Sequence, residues 1–526
     1  MTIANTPLGS VTALLDALAL QPQEDWLAQG RALALRSDAA AALAVFDAAA
    51  ARFPESSDIR LGLAGLLWQT GQSERAEQLL REWLQSHPGD TGAAFLLASL
   101  LREQGRLSAL GDVLLSAFAQ GRQDVDTVIR AVEMLDDYGR PNEAFTICEN
   151  AIAAGADDPR LHAYAGMLGI QLGQFERTRA HYARALEQTP DAIDWNIPLG
   201  LAGLQRYGDR AHGDFAFFHQ VLQRPGLSEP TRRAVLFALG KAHDDLGDFT
   251  SAATYFRQAN ALAHASSQWS RKLWKRSIEA RLAAPANRLT LPPADDWTPV
   301  FIVGVPRSGT TLLAQRLARY PSVKARGELG WLSFWEQRLA TVSPSRQQLE
   351  EAAAQYARQL RQDDEPAHWY IDKQPLNLLR VDLAMALWPN ARIIHCERDP
   401  RDTALSLWSQ SFHDPAHDYA YDMSDIATVI RDCRRLAAHW RERYPAAFLT
   451  VSYEQVVEAP DSTLASVAQW LGVPEPAAHS AMQPEPSNAI ATASAWQARQ
   501  TVYTHSVGRW QHYLPHMPEL AAINTR

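Results

Sequence analysis

The sequence predicts two architectures in one chain: an all-α helical repeat array, then an α/β domain with a central parallel sheet. Three observations carry that prediction. Glycines recur at a fixed interval through the first half of the 526 residues. Helical patterning stops at a proline-rich stretch past the middle of the chain. Beyond it, an apolar, β-branched run enters a glycine-bracketed loop and then a helix, the order that builds a phosphate cradle.

The repeat signal is clearest at Gly71, Gly105, Gly139 and Gly173, each 34 residues from the next, with Gly208 one residue late and Gly247 after a longer interval. Similar text surrounds them: Gln69-Thr-Gly-Gln-Ser-Glu-Arg-Ala76, Asp137-Tyr-Gly-Arg-Pro-Asn-Glu-Ala144, Asp245-Leu-Gly-Asp-Phe-Thr-Ser-Ala252. The glycine lets one helix end close against the next. The small residue five positions later (Ala76, Ala144, Ala252) lets paired helices approach. Pro54, Pro88 and Pro190 close units, because a helix rarely continues into proline. One earlier unit fits Asp25 to Pro54, with Ser37-Asp38 taking the turn. The text is degenerate near Leu110 and Arg206. A 34-residue helix–turn–helix period resembles the tetratricopeptide repeats, over about residues 25 to 270. That resemblance implies a solenoid whose concave face binds an acceptor protein or peptide. The alternative is an array that only dimerises or props up its neighbour.

Arg281 to Pro299 holds four prolines and loses helical periodicity. The expected domains are therefore 1–283, a linker at 284–298, and 299–526. A hydrophobic fraction of 46% and a charged fraction of 21% fit a soluble globular protein. Net charge is −9 with no basic block to offset it, which excludes a broad nucleic-acid footprint. Cys148, Cys396 and Cys433 are too few and scattered for a disulfide framework. No basic residue precedes the apolar stretch Leu14 to Leu20, and no apolar run is long enough to cross a bilayer. The expectation is a soluble cytoplasmic protein with no membrane partner. His413 and His417 are split by Pro415, which spoils a helical metal face, so no metal is expected.

In the second half, Val300 to Val303 reads as a buried strand and Gly304 to Gly309 as a tight loop. Leu312, Leu313, Leu317 and Ala318 then recur at helical spacing. Gly304 and Gly309 bracket four residues, as in the first half of the P-loop pattern. The lysine of that pattern is missing, since Thr310 and Thr311 follow Gly309, which argues against hydrolysis of ATP or GTP. Arg307 is the replacement charge, and its planar fork suits a terminal anionic group.

Glu328 follows a short strand, Val323 to Arg326, and sits between Gly327 and Gly330, which suggests close backbone approach. Lys373 ends another strand, with Pro375 forcing an exit; a strand-end lysine in an α/β domain points into the ligand crevice. Ile393 to Cys396 is a further buried strand. Asp399 is a good N-cap and Pro400 a good first residue for a helix running past Trp408. Arg398 at the strand end and Ser406 nearly two turns on can face one anion. The local alternative pairs Arg398 with Asp402. Ala447 to Val451 is a third buried strand leading into Ser452-Tyr-Glu-Gln455. The tail from Ser494 to Trp510 is rich in aromatics, hydroxyls and arginine, and suits a flap over a nucleotide.

On these residues the chain from 299 to about 515 resembles a sulfotransferase domain that uses 3′-phosphoadenosine-5′-phosphosulfate, with a P-loop-like fold. Pro306-Arg-Ser-Gly-Thr-Thr311 is similar to the family's 5′-phosphosulfate loop. Arg398 and Ser406, eight apart, are similar to its 3′-phosphate site. Within the family the chain most resembles the tyrosylprotein branch, which shares the loop text, the glycine–glutamate element at Glu328, the lysine before x-Pro at Lys373, and the Tyr453 to Gln455 triplet. A serine in the tail matches Ser494, and a basic-Trp pair matches Arg509-Trp510.

The resemblance implies roles. Pro306, Arg307, Ser308, Gly309, Thr310 and Thr311 would hold the 5′ end of the donor. Arg398, Ser406 and Arg509 would bind the 3′-phosphate, and Tyr453 the adenosine. Glu328 would act as base, with Arg307, Lys373 and Ser494 also catalytic. The implied reaction moves a sulfuryl group to a hydroxyl, protein tyrosine above all, with the repeats recruiting the acceptor. The alternatives are a small-molecule or glycan acceptor, and a non-catalytic repeat scaffold with a nucleotide-binding domain. Two features depart from the branch. Leu329 stands where a second acid follows the first, and the repeat array is absent from the animal enzymes, so the combination looks bacterial.

Overall fold

The structure is a computed structural model that describes residues 8–119, 121, 123–285, 289–294, 296–339, 344–474 and 506–523. The chain forms two compact units, Met1–Ala156 with Gln362–Asp364, and Asp157–Arg361 with Glu365–Arg526. Each unit is described separately.

The first unit is a run of antiparallel helix pairs. Gln23–Leu35 pairs with Ala39–Arg52, Ser57–Gln69 with Ser73–Ser86, Thr91–Glu103 with Leu107–Phe118, and Val125–Asp137 with Pro141–Ala153. The first turn lies where Ser37-Asp38 predicts it. Ser37 is left-handed at φ 62°, and the Asp38 carboxylate accepts from the Ala41 amide at 3.3 Å. Gly71, Gly105 and Gly139 have φ of 81°, 74° and 70°, the left-handed conformation that ends a helix cheaply only in glycine. Ala76 and Ala144 are fully buried. The text near Leu110 is degenerate, yet Leu107–Phe118 is a regular helix with Leu110 fully buried. The Phe46 ring fills the space left by two helical glycines: a Cβ would lie 2.7 Å from it at Gly30 and 2.5 Å at Gly62.

The second unit begins with further repeats, Pro159–Leu172 with Phe175–Gln188 and Glu229–Asp245 with Phe249–Ser266. Between them the period breaks. A 3₁₀ turn at Pro190–Trp195, a six-residue helix, Ile197–Ala202, and a ten-residue helix, Gly213–Leu222, stand in place of the regular pair. Gly208 falls in the irregular stretch between the two short helices rather than at a left-handed helix end, in line with the degenerate text near Arg206. The helix Arg271–Leu282 then leads into the sheet.

The sheet has five parallel strands: β1 (Thr298–Gly304), β2 (Val323–Ala325), β3 (Trp369–Asp372), β4 (Arg392–Glu397) and β5 (Phe448–Ser452), in the order β2-β3-β1-β4-β5. Phe301 pairs with Asp372 and Gly304 with Cys396, so the carboxyl ends of β3, β1 and β4 lie side by side. The chain after β1 leaves toward β2, and the chain after β3 crosses β1 to reach β4. That divergence opens a crevice at the strand ends. The elements expected from sequence are all present, with bounds shifted by a residue or two.

The proline-rich stretch marks the change from helix to sheet, but the compact units divide at Ala156. The described residues of 284–298 are tied to the sheet layer. Leu291 donates its amide to Ala386 O at 2.9 Å, and Asn390 bonds Ala294 and Trp297. The preceding repeats are equally engaged. Asn260 donates to Trp408 O at 2.8 Å, Arg271 pairs with Asp425, and the Trp274 indole donates to Asp432 at 3.1 Å. Phe256, Ile278, Phe301, Trp408 and Trp440 share one apolar core. The three cysteines are buried as free thiols. Among the described residues no helix is long and apolar enough to cross a membrane.

Two neighbouring glycines separate propensity from packing. Gly65 lies in the same helix as Gly62, and a Cβ there meets nothing within 4 Å. Gly65→Ala is expected to stabilise the chain by about 0.5–1 kcal/mol through helix propensity. Gly62→Ala is expected to destabilise it by about 1–3 kcal/mol, because the overpacked Phe46 ring outweighs that gain. Urea unfolding of the two variants checks the opposite signs.

Candidate active site

The loop after β1 is shaped by close backbone approach. A Cβ at Gly304 would lie 2.6 Å from the Cys396 carbonyl oxygen of β4, and one at Gly309 would lie 2.5 Å from the Tyr453 ring. Gly309, at φ 95°, precedes the helix Thr310–Leu317. Arg307 is left-handed at φ 74°, an unfavourable conformation for a non-glycine residue that commonly marks a functional loop. Ser308 is only 2% exposed, and its hydroxyl has no hydrogen-bond partner among the described residues. Pro306 and Thr310 are buried, while Thr311 is half-buried. The free amides at the helix start add partial positive charge.

The strand end of β4 joins this loop. Asp399 caps the helix Pro400–Trp408 by accepting from the Arg401 amide at 2.8 Å. The helix carries Ser406 back toward the loop, where its hydroxyl accepts from Arg307 Nε at 3.0 Å. Arg398 donates to Arg307 O at 3.2 Å and to Ser506 O at 2.5 Å. Its guanidinium lies 4.5 Å from the centre of the Tyr453 ring. Arg398 Nε is buried without a partner among the described residues. Asp402 does not form the local ion pair with Arg398. It accepts instead from the amides of Gly508, at 2.7 Å, and Trp510, at 2.9 Å. The structure thus brings Arg307, Ser308, Gly309, Arg398, Ser406 and Tyr453 together.

A second cluster forms at the end of β3. Lys373 Nζ pairs with Glu328 Oε1. The lysine side chain is 5% exposed and the glutamate 38%, so the acid is the member open to solvent. The Lys373 amide also donates to Gly327 O at 2.8 Å, fixing the glutamate's turn against β3. Asp372 supports both from below. This fully buried carboxylate accepts from Tyr356 Oη, from Asn377 Nδ2 at 3.0 Å, and from the Leu329 amide at 3.2 Å. Burial, reinforced by the Glu328 charge, pushes the Asp372 carboxyl up to about 7, against the pull of its donors and of Lys373.

Two expected site residues stand apart. Arg509 Nη2 pairs with Asp244 Oδ2 at 2.6 Å, and no hydrogen bond joins it to Arg398 or Ser406 among the described residues. Ser494 lies outside the described residues. Asp372 and Asp244 were not singled out from sequence, and Asp402 was named only as a local partner for Arg398. Only Asp372 carried a local signal, its place beside Lys373 at the end of an apolar strand.

Asp372 predicts a pH dependence of stability. Its folded-state pKa lies above the ordinary 3.8, so its contribution is full below about pH 4 and lost as pH rises through about 7. Stability from this group therefore falls between about pH 4 and about pH 7 and is level above that. Asp372→Asn is expected to flatten that slope in urea midpoints measured across the range; an unchanged slope would remove Asp372 as its source.

Residues 299–477 match the model of the sulfotransferase family, and residues 27–101 and 234–263 match tetratricopeptide-repeat models. An uncharacterised protein of Aquifex aeolicus is 23% identical over 95% of this chain and 69% of its own length. The protein-tyrosine sulfotransferase of Drosophila melanogaster is 28% identical over 33% of this chain and 38% of its own. Protein-tyrosine sulfotransferase 1 of Danio rerio is 26% identical over 34% of this chain and 54% of its own. The match thus spans less than two thirds of either tyrosine enzyme. Among solved structures, the sulfotransferase domain of the Synechococcus olefin synthase is 20% identical, covering 46% of this chain and 97% of that domain, with a TM-score of 0.32. On the family-model matches, the chain carries a sulfotransferase-family domain at residues 299–477 and tetratricopeptide repeats at 27–101 and 234–263.

Proposed function

We propose that this protein transfers a sulfuryl group from 3′-phosphoadenosine-5′-phosphosulfate to the hydroxyl of a protein tyrosine presented with the help of the repeats. The observation that carries the donor assignment is unmatched polar capacity in the loop pocket. Ser308 Oγ and Arg398 Nε are buried without partners, and Arg398 has no carboxylate at ion-pair distance among the described residues. Buried donors without acceptors are costly, so a pocket built this way fits a ligand rich in anionic oxygens.

In this reading the amides from Ser308 to Thr311 and the Arg307 guanidinium hold the 5′ end of the donor. Arg398 and Ser406 bind the 3′-phosphate, and Tyr453 contacts the adenosine. Arg509, paired with Asp244, is assigned in this reading to bracing the pocket rather than to the phosphate. The acceptor oxygen attacks sulfur as the bond from sulfur to the bridging phosphate oxygen breaks. The acceptor proton passes to Glu328, and the departing phosphate keeps the bridging oxygen. A phenol has a pKa of about 10, so it needs a base at neutral pH. Lys373 holds Glu328 in place beforehand and stabilises the charge that develops on the bridging oxygen. The acceptor class rests on the named activity of the tyrosine relatives and on the repeats, a common scaffold for binding peptides.

Calorimetry with 3′-phosphoadenosine-5′-phosphate tests the donor site: the full chain binds it, and absence of heat at saturating ligand would overturn the assignment. Arg398→Ala is expected to weaken that binding by about 1.5–3 kcal/mol, the worth of a charged hydrogen bond. Glu328→Ala is expected to lower turnover by about 10²–10⁴-fold while nucleotide affinity holds. Mass spectrometry of tyrosine peptides incubated with donor and enzyme decides the acceptor, with sulfation confined to serine, glycan or small molecules as the result that removes tyrosine.

A further inference from the structure

We infer that Asp244, on the last repeat helix pair, is a positioning residue for the donor pocket, acting through Arg509 and the segment 506–523. The inference rests on the donor reading of that pocket and adds a dependence on the repeats.

The segment contacts the pocket through its backbone. Ser506 O accepts from Arg398, and the amides of Gly508 and Trp510 donate to Asp402 on the helix that carries Ser406. The Trp510 ring lies 3.8 Å from the Arg401 guanidinium on the same helix. The segment's other side faces the repeats. Asp244 Oδ2 pairs with Arg509 Nη2 at 2.6 Å, and Asp244 Oδ1 accepts from Tyr513 Oη at 2.5 Å. The Phe249 ring stacks on His512 with centroids 5.1 Å apart, and Arg257 pairs with Glu519 at 3.0 Å.

Three consecutive residues therefore alternate. The amides of 508 and 510 hold the helix Pro400–Trp408, and the side chain of 509 holds the helix Glu229–Asp245. Asp244 and Asp402 pin one short strap from opposite sides. Arg398 is braced by that strap through a single carbonyl, so a displaced strap releases the guanidinium that faces the proposed 3′-phosphate. Coupling between two sites is reciprocal. A partner that shifts the Glu229–Asp245 helix alters donor affinity, and donor binding tightens the strap on the repeats.

The test uses the full chain and 3′-phosphoadenosine-5′-phosphate. Asp244→Asn keeps the side chain's shape and removes its charge. It is expected to weaken nucleotide binding about tenfold, within the range of couplings between sites. Arg509→Ala is expected to do the same, Arg509→Lys to keep most of the affinity, and the double variant Asp244→Asn/Arg509→Ala to lose no more than either alone. In turnover, the donor KM rises while kcat holds. If Arg509→Ala loses affinity and Asp244→Asn keeps it, Arg509 touches the nucleotide directly and the inference is overturned. Hydrogen exchange reads the strap without any nucleotide: the Gly508 and Trp510 amides are expected to lose protection about tenfold in Asp244→Asn. Unchanged protection overturns the strap. A wild-type chain that binds no nucleotide but shows that loss of protection overturns the donor reading instead, and with it any effect of Asp244 on donor affinity.

Discussion

The loop pocket after β1 depends on how closely bare backbone can pass backbone. At Gly304 the loop after β1 runs so near the Cys396 carbonyl that a single added carbon would collide with it. At Gly309 the same is true against Tyr453. Between these fixed points the chain has room for only one sharp path, and that path forces Arg307 into a left-handed conformation costing about 1–3 kcal/mol. The Arg398 bond to the Arg307 carbonyl helps to hold it there. Loop shape, arginine direction and contact with β4 are consequences of one packing constraint.

The two charged clusters divide the labour. The loop cluster is cationic, and Arg398 leans on carbonyl oxygens that remain satisfied whether or not an anion arrives. The β3 cluster is close to neutral, with one lysine, one open acid and one buried acid beneath them. Fixed positions matter in both, because groups that need not reorganise during reaction stabilise developing charge most effectively. Asp372 serves this end by holding the Leu329 amide, and thus the turn bearing Glu328, against a strand that cannot move.

Much of this was legible in the sequence, where the determining physics is local. Strand periodicity found β1 and β4. Capping chemistry found Asp399 and Pro400, and the Ser37-Asp38 turn followed from the same rules. The roles of three acids were not legible. Asp244, Asp372 and Asp402 look like ordinary helix or strand-end carboxylates in their own text. Two take their meaning from partners far along the chain: 269 residues for Asp244 with Tyr513, 106 for Asp402 with Gly508. Arg509 was assigned to phosphate because its own neighbours fit a nucleotide flap, and nothing nearby announces Asp244.

The bond from Asp244 to Tyr513 also sets an order of events during synthesis. At about 5–20 residues per second, the repeat pair emerges roughly 15–50 s before the segment that covers it. Over that interval Phe249 lacks the His512 ring and Asp244 lacks its cation. Non-local contacts of this span form late, after the local helices and the sheet have closed. The nascent chain thus holds a folded repeat pair and an unbraced Arg398 until the segment 506–523 docks, and the anion pocket becomes whole only after the sheet beneath it.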